Sequence, residues 1–405
     1  MVTGKERVAA ALAHKESDRI AIDFGGTLSS NIHVDAYAPL LAHLGLDETP
    51  EVIDLMQFVI RPSVRMLDIT GSDVAILPRY QPRFGLDIKK FRRWKTFAGT
   101  ECLVPDGFSP ITDSEGNLNV KDGAGNILAR MPKDGRYFDF HFTPHAYLLE
   151  NETLEENAWQ KLFPRIEEVE VGFLKKSVAE RKKENRAIVG LFGGSIFEAG
   201  LRNLGYETSM EALLLQQDFM AEYYKQMTEA HLKNLEIYLD AIGSDIDVIQ
   251  VADDLGSQES LLLSPDIYRR LIFPCQARIF NYIHKRFPNL CVLLHSCGAI
   301  SPLLDDLVEA GVDAINPVQI SAKNMDPRQL KKRYGSSLVF WGGGCDLQHV
   351  AGKSVKDIKA EVRELVEIFK PQGGFVFNTV HNIQAGVDPE QIMAIFDSAK
   401  EYGVY

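Results

Sequence analysis

The stretch LCVLLHSCGAISPLLDDLVEAGVDAINPVQ, residues 290–319, decides the fold. It passes from an apolar, β-branched run, LCVLLHSC, into a helical pattern opened by Ser301 and Pro302, and then into a second short apolar run, DAINPVQ. A run that is apolar at every position suits a strand buried on both faces, and such strands separated by a helix make the parallel crossover unit. A serine able to cap, followed by proline at the first helical position, marks where the helix should start.

The same rhythm runs through the chain. RIAIDFGG, DVAILPR, RAIVGLFGG, DVIQVADD, LCVLLHSC, DAINPVQ, LVFWGGGC and GGFVFNTVH are eight candidate buried strands, each ending in small or polar residues. Asp326 with Pro327 and Ser264 with Pro265 repeat the cap-then-proline signal, and Pro274 should kink or divide the helix it lies in. Strands alternating with helices in this number predict a (β/α)8 TIM barrel spanning residues 1–405 as one domain. Residues 80–150 break the rhythm: in ITDSEGNLNVKDGAGNILARMPKDGRYFDFHF, the turns Glu-Gly-Asn, Asp-Gly-Ala-Gly and Lys-Asp-Gly punctuate short alternating runs. They predict an antiparallel β-hairpin insertion after strand 2, placed as a lid near the barrel mouth.

A chain of 405 residues, 45% hydrophobic and 25% charged, has ordinary globular composition. The net charge of -12 has the wrong sign for a phosphate backbone, so nucleic acid is not an expected partner. No apolar run reaches the ~18 residues of a membrane span, and the N-terminus reads as an amphipathic helix, so the expectation is a soluble, cytoplasmic protein. Its oligomeric state is open, a homodimer included. The five cysteines, Cys102, Cys275, Cys291, Cys297 and Cys345, are too few for a disulfide framework and suit reduced thiols.

At the C-terminal strand ends, where barrel enzymes hold their catalytic groups, His295 and Cys297 share one face of an extended chain. Cys345 ends a strand two places round the barrel, after Gly342, Gly343 and Gly344, which let the backbone bend. Two thiolates and an imidazole suit zinc, and three protein ligands leave the fourth position open as catalytic sites require. Glu259 is a candidate displaceable fourth ligand. The plainer reading, buried structural cysteines, fits Cys275 and Cys291 better, and a Cys/His nucleophile pair would leave the second cysteine idle. Asp253 and Asp254 follow VIQVA and are candidates to orient substrate, handle a proton or shield the metal, or to cap the next helix. His381 and Asn378 follow the last strand as a candidate catalytic group and substrate contact, and Phe197 and Glu198 are candidates to line the pocket.

GKERVAAALAHKESDRIAIDF, DDLGSQESLLLSPDIYRRLIFP, LLHSCGAISPLLDDLVEAGVDAINPVQ and GGFVFNTVHNIQAGVDPEQI together resemble the uroporphyrinogen decarboxylase superfamily over nearly the whole chain. The His-x-Cys-Gly motif with a distant cysteine is similar to its zinc-dependent corrinoid methyltransferases. That resemblance implies a barrel, a Zn2+ ion, and a methyl group moved between a small methylated substrate and the cobalamin cobalt of a partner corrinoid protein. A methoxylated compound is the favoured donor, with a coenzyme M-like thiol acceptor and a uroporphyrinogen-type decarboxylase as alternatives. Decarboxylases carry arginines just after the first strand. Here no Lys or Arg occurs between Arg19 and Arg61, so a tetrapyrrole would lack that clamp.

Overall fold

The computed structural model describes residues 2–151, 154, 165–348 and 350–405. Eight parallel strands form one sheet: β1 (Ala21–Ile22), β2 (Val74–Leu77), β3 (Ala187–Gly193), β4 (Val248–Ala252), β5 (Cys291–His295), β6 (Ala314–Asn316), β7 (Val339–Trp341) and β8 (Phe375–Phe377). Each of the eight apolar runs supplies one of them. Their order, β1-β8-β7-β6-β5-β4-β3-β2, is that of a (β/α)8 barrel opened at one seam.

At the seam a side chain takes the place of strand pairing. The Asp73 amide donates to Ile22 O at 2.7 Å, and the Ile22 amide donates to Asp73 Oδ2 at 2.9 Å, so β1 and β2 are joined through one carboxylate. Arg7 and Arg19 pair with that carboxylate at 3.1 and 2.6 Å, which compensates its burial.

Two apolar clusters separate the inside of the barrel from its helical jacket. Val248, Cys291, Leu293, Ala314, Val339, Trp341 and Val376 belong to the inner one, plugged by Val8 and Ala11 of the helix Gly4–Leu12. Ile249, Val251, Val292, Leu294 and Phe340 pack outward in the other. The period of two along each strand therefore decides which residue can reach the mouth.

The helix starts agree with their caps in two cases. Asp326 accepts from the Gln329 amide at 2.9 Å and Ser264 from the Ile267 amide at 3.3 Å, each before proline. Ser301 differs: it opens a 3-10 turn, Ser301–Leu303, and caps nothing, the α-helix starting at Leu304. Ahead of Pro274 the helix passes through a π-helical turn, Tyr268–Ile272, which absorbs the hydrogen bond that proline cannot make.

The segment after β2 is antiparallel. Phe91–Lys95 pairs with Glu101–Pro105, and Ile111–Thr112, Leu118–Lys121, Ile127–Met131 and Asp139–Phe140 form a four-stranded sheet. Asp113 accepts from the amides of Glu115 and Asn117, Asp122 from those of Ala124 and Asn126, and Gly116 and Gly125 take φ of 88° and 90°. These are the side-chain turns that Asp and Gly build. Between β1 and β2 lies an antiparallel ribbon, Val52–Asp54 with Val59–Ile60, that the strand-and-helix rhythm does not announce.

Candidate metal and substrate site

Cys291 and Leu293 face the barrel interior, so His295, two residues on, points into the mouth. Its tautomer follows from its neighbour. Asn316 donates Nδ2 to Trp341 O at 2.9 Å, leaving Oδ1 as the acceptor, and that Oδ1 lies 2.8 Å from His295 Nδ1. Nδ1 must therefore carry the proton, and Nε2 presents a lone pair. Cys297 Sγ stands 3.6 Å from that Nε2.

His381 completes the group. Its backbone φ is 65°, a left-handed conformation in which Thr379 Oγ1 donates to the His381 carbonyl at 2.7 Å. His381 Nδ1 lies 2.5 Å from Asn382 Oδ1, while Asn382 Nδ2 donates to Gln57 Oε1 at 3.1 Å. By the same logic its Nε2 is the free nitrogen. The atoms of His295, Cys297 and His381 that could ligate a metal ion all lie within 4.8 Å of one another.

The surroundings keep His381 and Cys297 neutral. Burial, with the neighbouring His295, pulls the His381 pKa down to about 4, so its ring is uncharged at neutral pH. Burial and the Asp254 carboxylate push the Cys297 thiol up. Asp254 Oδ1 accepts from the Cys297 amide at 2.8 Å and lies 3.8 Å from His295 Nε2. Gly298, at φ 90°, is forced: a Cβ there would meet the Gly256 carbonyl carbon at 2.4 Å.

Cys345, expected as the third ligand, is not in this group. Gly342 and Gly343 take φ of 123° and 76°, which breaks the in-out alternation after Trp341, and Cys345 falls into the outer core cluster, fully buried. Its thiol is raised by burial and by Glu361, a residue of the outer helix Val355–Phe369. Glu259 lies exposed in a turn and is likewise outside the group.

The adjacent aspartates divide. Asp254 lines the cavity; Asp253 is 2% exposed and accepts hydrogen bonds from Ser195 Oγ, the Ile196, Phe197 and Glu198 amides and Gln276 Nε2. Asp253 thus satisfies the N-terminus of the helix Phe197–Leu204 from outside it. Phe197, the first residue of that helix, is fully buried and does not line the cavity, whereas Glu198 does. Asn378 is buried away from the cavity wall, its amide unpartnered among the described residues.

A cavity of about 460 Å³ opens at the C-terminal ends of the strands, with His295 and His381 in its wall. The three arginines among its described lining residues, Arg79, Arg83 and Arg202, had no motif to announce them. Arg79 pairs with Glu170, Arg83 with Asp54 at 2.8 Å and Arg202 with Glu198 at 3.4 Å. Asp54 and Gln57 come from the unannounced ribbon between β1 and β2. The spacing of Glu198 and Arg202, four residues apart, is the one signal that places both on a single helix face.

A barrel with its polar groups gathered at this mouth matches the family model for uroporphyrinogen decarboxylase (URO-D) over residues 147–402, and the chain belongs to that family. Among curated relatives, the uroporphyrinogen decarboxylase of Thioalkalivibrio sulfidiphilus is 28% identical over 174 residues, 42% of this chain and 46% of the relative. That of Synechocystis is 26% identical over 185 residues, 44% and 51% of the two chains. The matches thus span about half the length of these relatives. A methyltransferase from Methanosarcina mazei shares the fold over 99% of both chains, with a TM-score of 0.63 and 18% identity. Among the described residues no helix is long and apolar enough to cross a membrane.

Proposed function

We propose that this member of the family is a metal-assisted methyltransferase, moving a methyl group between a small methylated substrate and the cobalt of a separate corrinoid protein. The observation that carries the reading is the convergence of His295, Cys297 and His381, with candidate ligand atoms within 4.8 Å of one another and both histidines in the cavity wall. Two imidazole nitrogens with their far nitrogens already spent as donors, plus one thiol, fit a zinc ion with a position left open toward the cavity. When bound, such an ion supplies Lewis acidity to a substrate oxygen or holds a substrate thiol as thiolate.

The donor set bears on which substrate is favoured. A site of two neutral imidazoles and one thiolate leaves a zinc ion with formal charge +1, whereas two thiolates would cancel it. The more positive centre is the better Lewis acid, which favours a methoxylated donor over a thiol acceptor. The chain's own contribution is positional. Asn316 and Asn382 hold the two rings, Asp254 anchors the Cys297 amide, and the segment 80–150 enters the cavity wall through Gln81, Pro82 and Arg83, as a lid that excludes water would.

Decarboxylation of a tetrapyrrole is the second reading, favoured by the names of the curated relatives. Against it, the lining arginines are matched in number by the lining acids Asp54, Glu198 and Asp254, so no net basic clamp faces a polycarboxylate. Metal analysis and methyl transfer to cob(I)alamin from a panel of methoxylated compounds test the proposal. Cys297→Ser and His381→Ala should each cut zinc content at least tenfold and abolish transfer, and Cys345→Ser should retain both. Equal zinc in all three variants and the parent would overturn the ligand assignment; turnover of uroporphyrinogen without metal would favour the second reading.

A further inference from the structure

The arginines of the cavity differ in how far their charge is already spent. Arg79 meets Glu170 through two nitrogens and donates to Phe192 O at 3.4 Å. Arg83 lies 2.8 Å from Asp54. Arg202 has a single hydrogen bond among the described residues, a 3.4 Å contact with Glu198 one helical turn away, at the long margin of such bonds. Its guanidinium otherwise rests against the Phe140 ring, 5.3 Å from the centroid. Most of its five N–H donors therefore have no acceptor among the described residues, and the residue lines the cavity.

We infer that the cavity takes a substrate with a small anionic head, a carboxylate or a sulfonate, seated on Arg202 while its reacting end lies at His295, Cys297 and His381. This rests on the methyl-transfer reading above. A planar guanidinium with a vacant edge is shaped for two parallel hydrogen bonds to such a head, which an ammonium cannot reproduce. Burial disfavours the Arg202 charge, Glu198 offsets that in part and Arg83 adds to it, so an arriving anion relieves both burdens. Glu198 then acts as a competitor for the same guanidinium, and weakens the binding that Arg202 provides.

Calorimetric titration of the zinc-loaded full chain tests this with 3-methoxybenzoate, its uncharged amide and 2-mercaptoethanesulfonate. At least one anion should bind more tightly than the amide; the carboxylate would mark a donor acid, the sulfonate an acceptor thiol. Arg202→Gln should weaken the anion by about ten- to a hundredfold, Arg202→Lys should fall between, and Glu198→Gln should tighten it. Zinc content and thermal unfolding should match the parent in all three. An amide bound as tightly as the acids, an affinity indifferent to both Arg202→Gln and Glu198→Gln, or no binding of either anion overturns the inference. If the binding pattern holds and no methyl transfer is seen, the reaction assignment alone fails.

Discussion

Replacing Asp253 with asparagine should cost far more stability than replacing its neighbour Asp254, although the two are adjacent carboxylates. Oδ1 of Asp253 accepts from Ser195 Oγ at 3.2 Å and the Glu198 amide at 2.8 Å. Oδ2 accepts from the Ile196 and Phe197 amides at 3.1 Å and from Gln276 Nε2 at 2.9 Å. An asparagine in place of Asp253 would have to turn its NH2 toward one of these sets. The less damaging choice faces Ser195, whose hydroxyl can rotate to accept, and strands the Glu198 amide. A stranded buried donor costs about 1–3 kcal/mol, and each of the three remaining bonds loses roughly 1 kcal/mol on losing its charge. The sum is about 4–6 kcal/mol, reduced by roughly 1 kcal/mol because a buried charge is also removed, so the expected loss is about 3–5 kcal/mol. At Asp254 the side chain is 37% exposed, and asparagine can still accept from the Cys297 amide, so Asp254→Asn should lose less than about 1 kcal/mol. Urea unfolding of both variants measures the difference. Equal stabilities, or a more stable Asp253→Asn, would refute the claim that Asp253 caps the helix bearing Glu198 and Arg202.

Two further outcomes follow from the site. Gly298→Ala puts a methyl group 2.4–2.5 Å from backbone atoms of Gly256 and Ser257 at a φ of 90°, so it should displace the Cys297 loop, lower zinc content and cost about 2–4 kcal/mol; calorimetric unfolding and metal analysis check this. Burial lowers the His231 pKa to about 4, so the folded state binds fewer protons than the unfolded one between about pH 4 and 6.5, and its contribution to stability is present above that window and lost as pH falls through it. His231→Gln should therefore flatten the pH dependence of the unfolding free energy there by about 3 kcal/mol in total, as urea titrations at pH 4.5 and 7 would show; an unchanged slope would mean the ring is protonated in the fold.

The eight strands were legible because a parallel barrel buries both faces of each, and nothing else in a chain of this composition demands short apolar runs separated by helices. The insertion was legible because Asp and Gly at hairpin turns act locally: Asp113 and Asp122 bind amides within four residues of themselves. Ser301 misled because a capping residue must stand in extended backbone ahead of the first turn, whereas Ser301 is itself the first residue of a 3-10 turn, with Ile300 before it at φ -88° and ψ 1°.

At the site, the sequence by itself determined what strand period and neighbouring positions determine. His295 and Cys297 share a face, and His295 points inward because Cys291 and Leu293 do. Tertiary structure decided the third member. Two left-handed glycines cancel the alternation that would have carried Cys345 inward, and the left-handed backbone of His381 turns its ring toward His295, with centroids 5.6 Å apart. Asp253 and Asp254 are equivalent in sequence, yet one meets a helix terminus and the other the cavity. The arginines of the wall come from a loop after β2 and from a helix after β3, and only closure of the barrel brings them beside the ribbon that carries Asp54. Periodicity is a property of neighbouring residues, whereas ligand sets and charge pairs join residues far apart in the chain, and only the packed barrel fixes those distances.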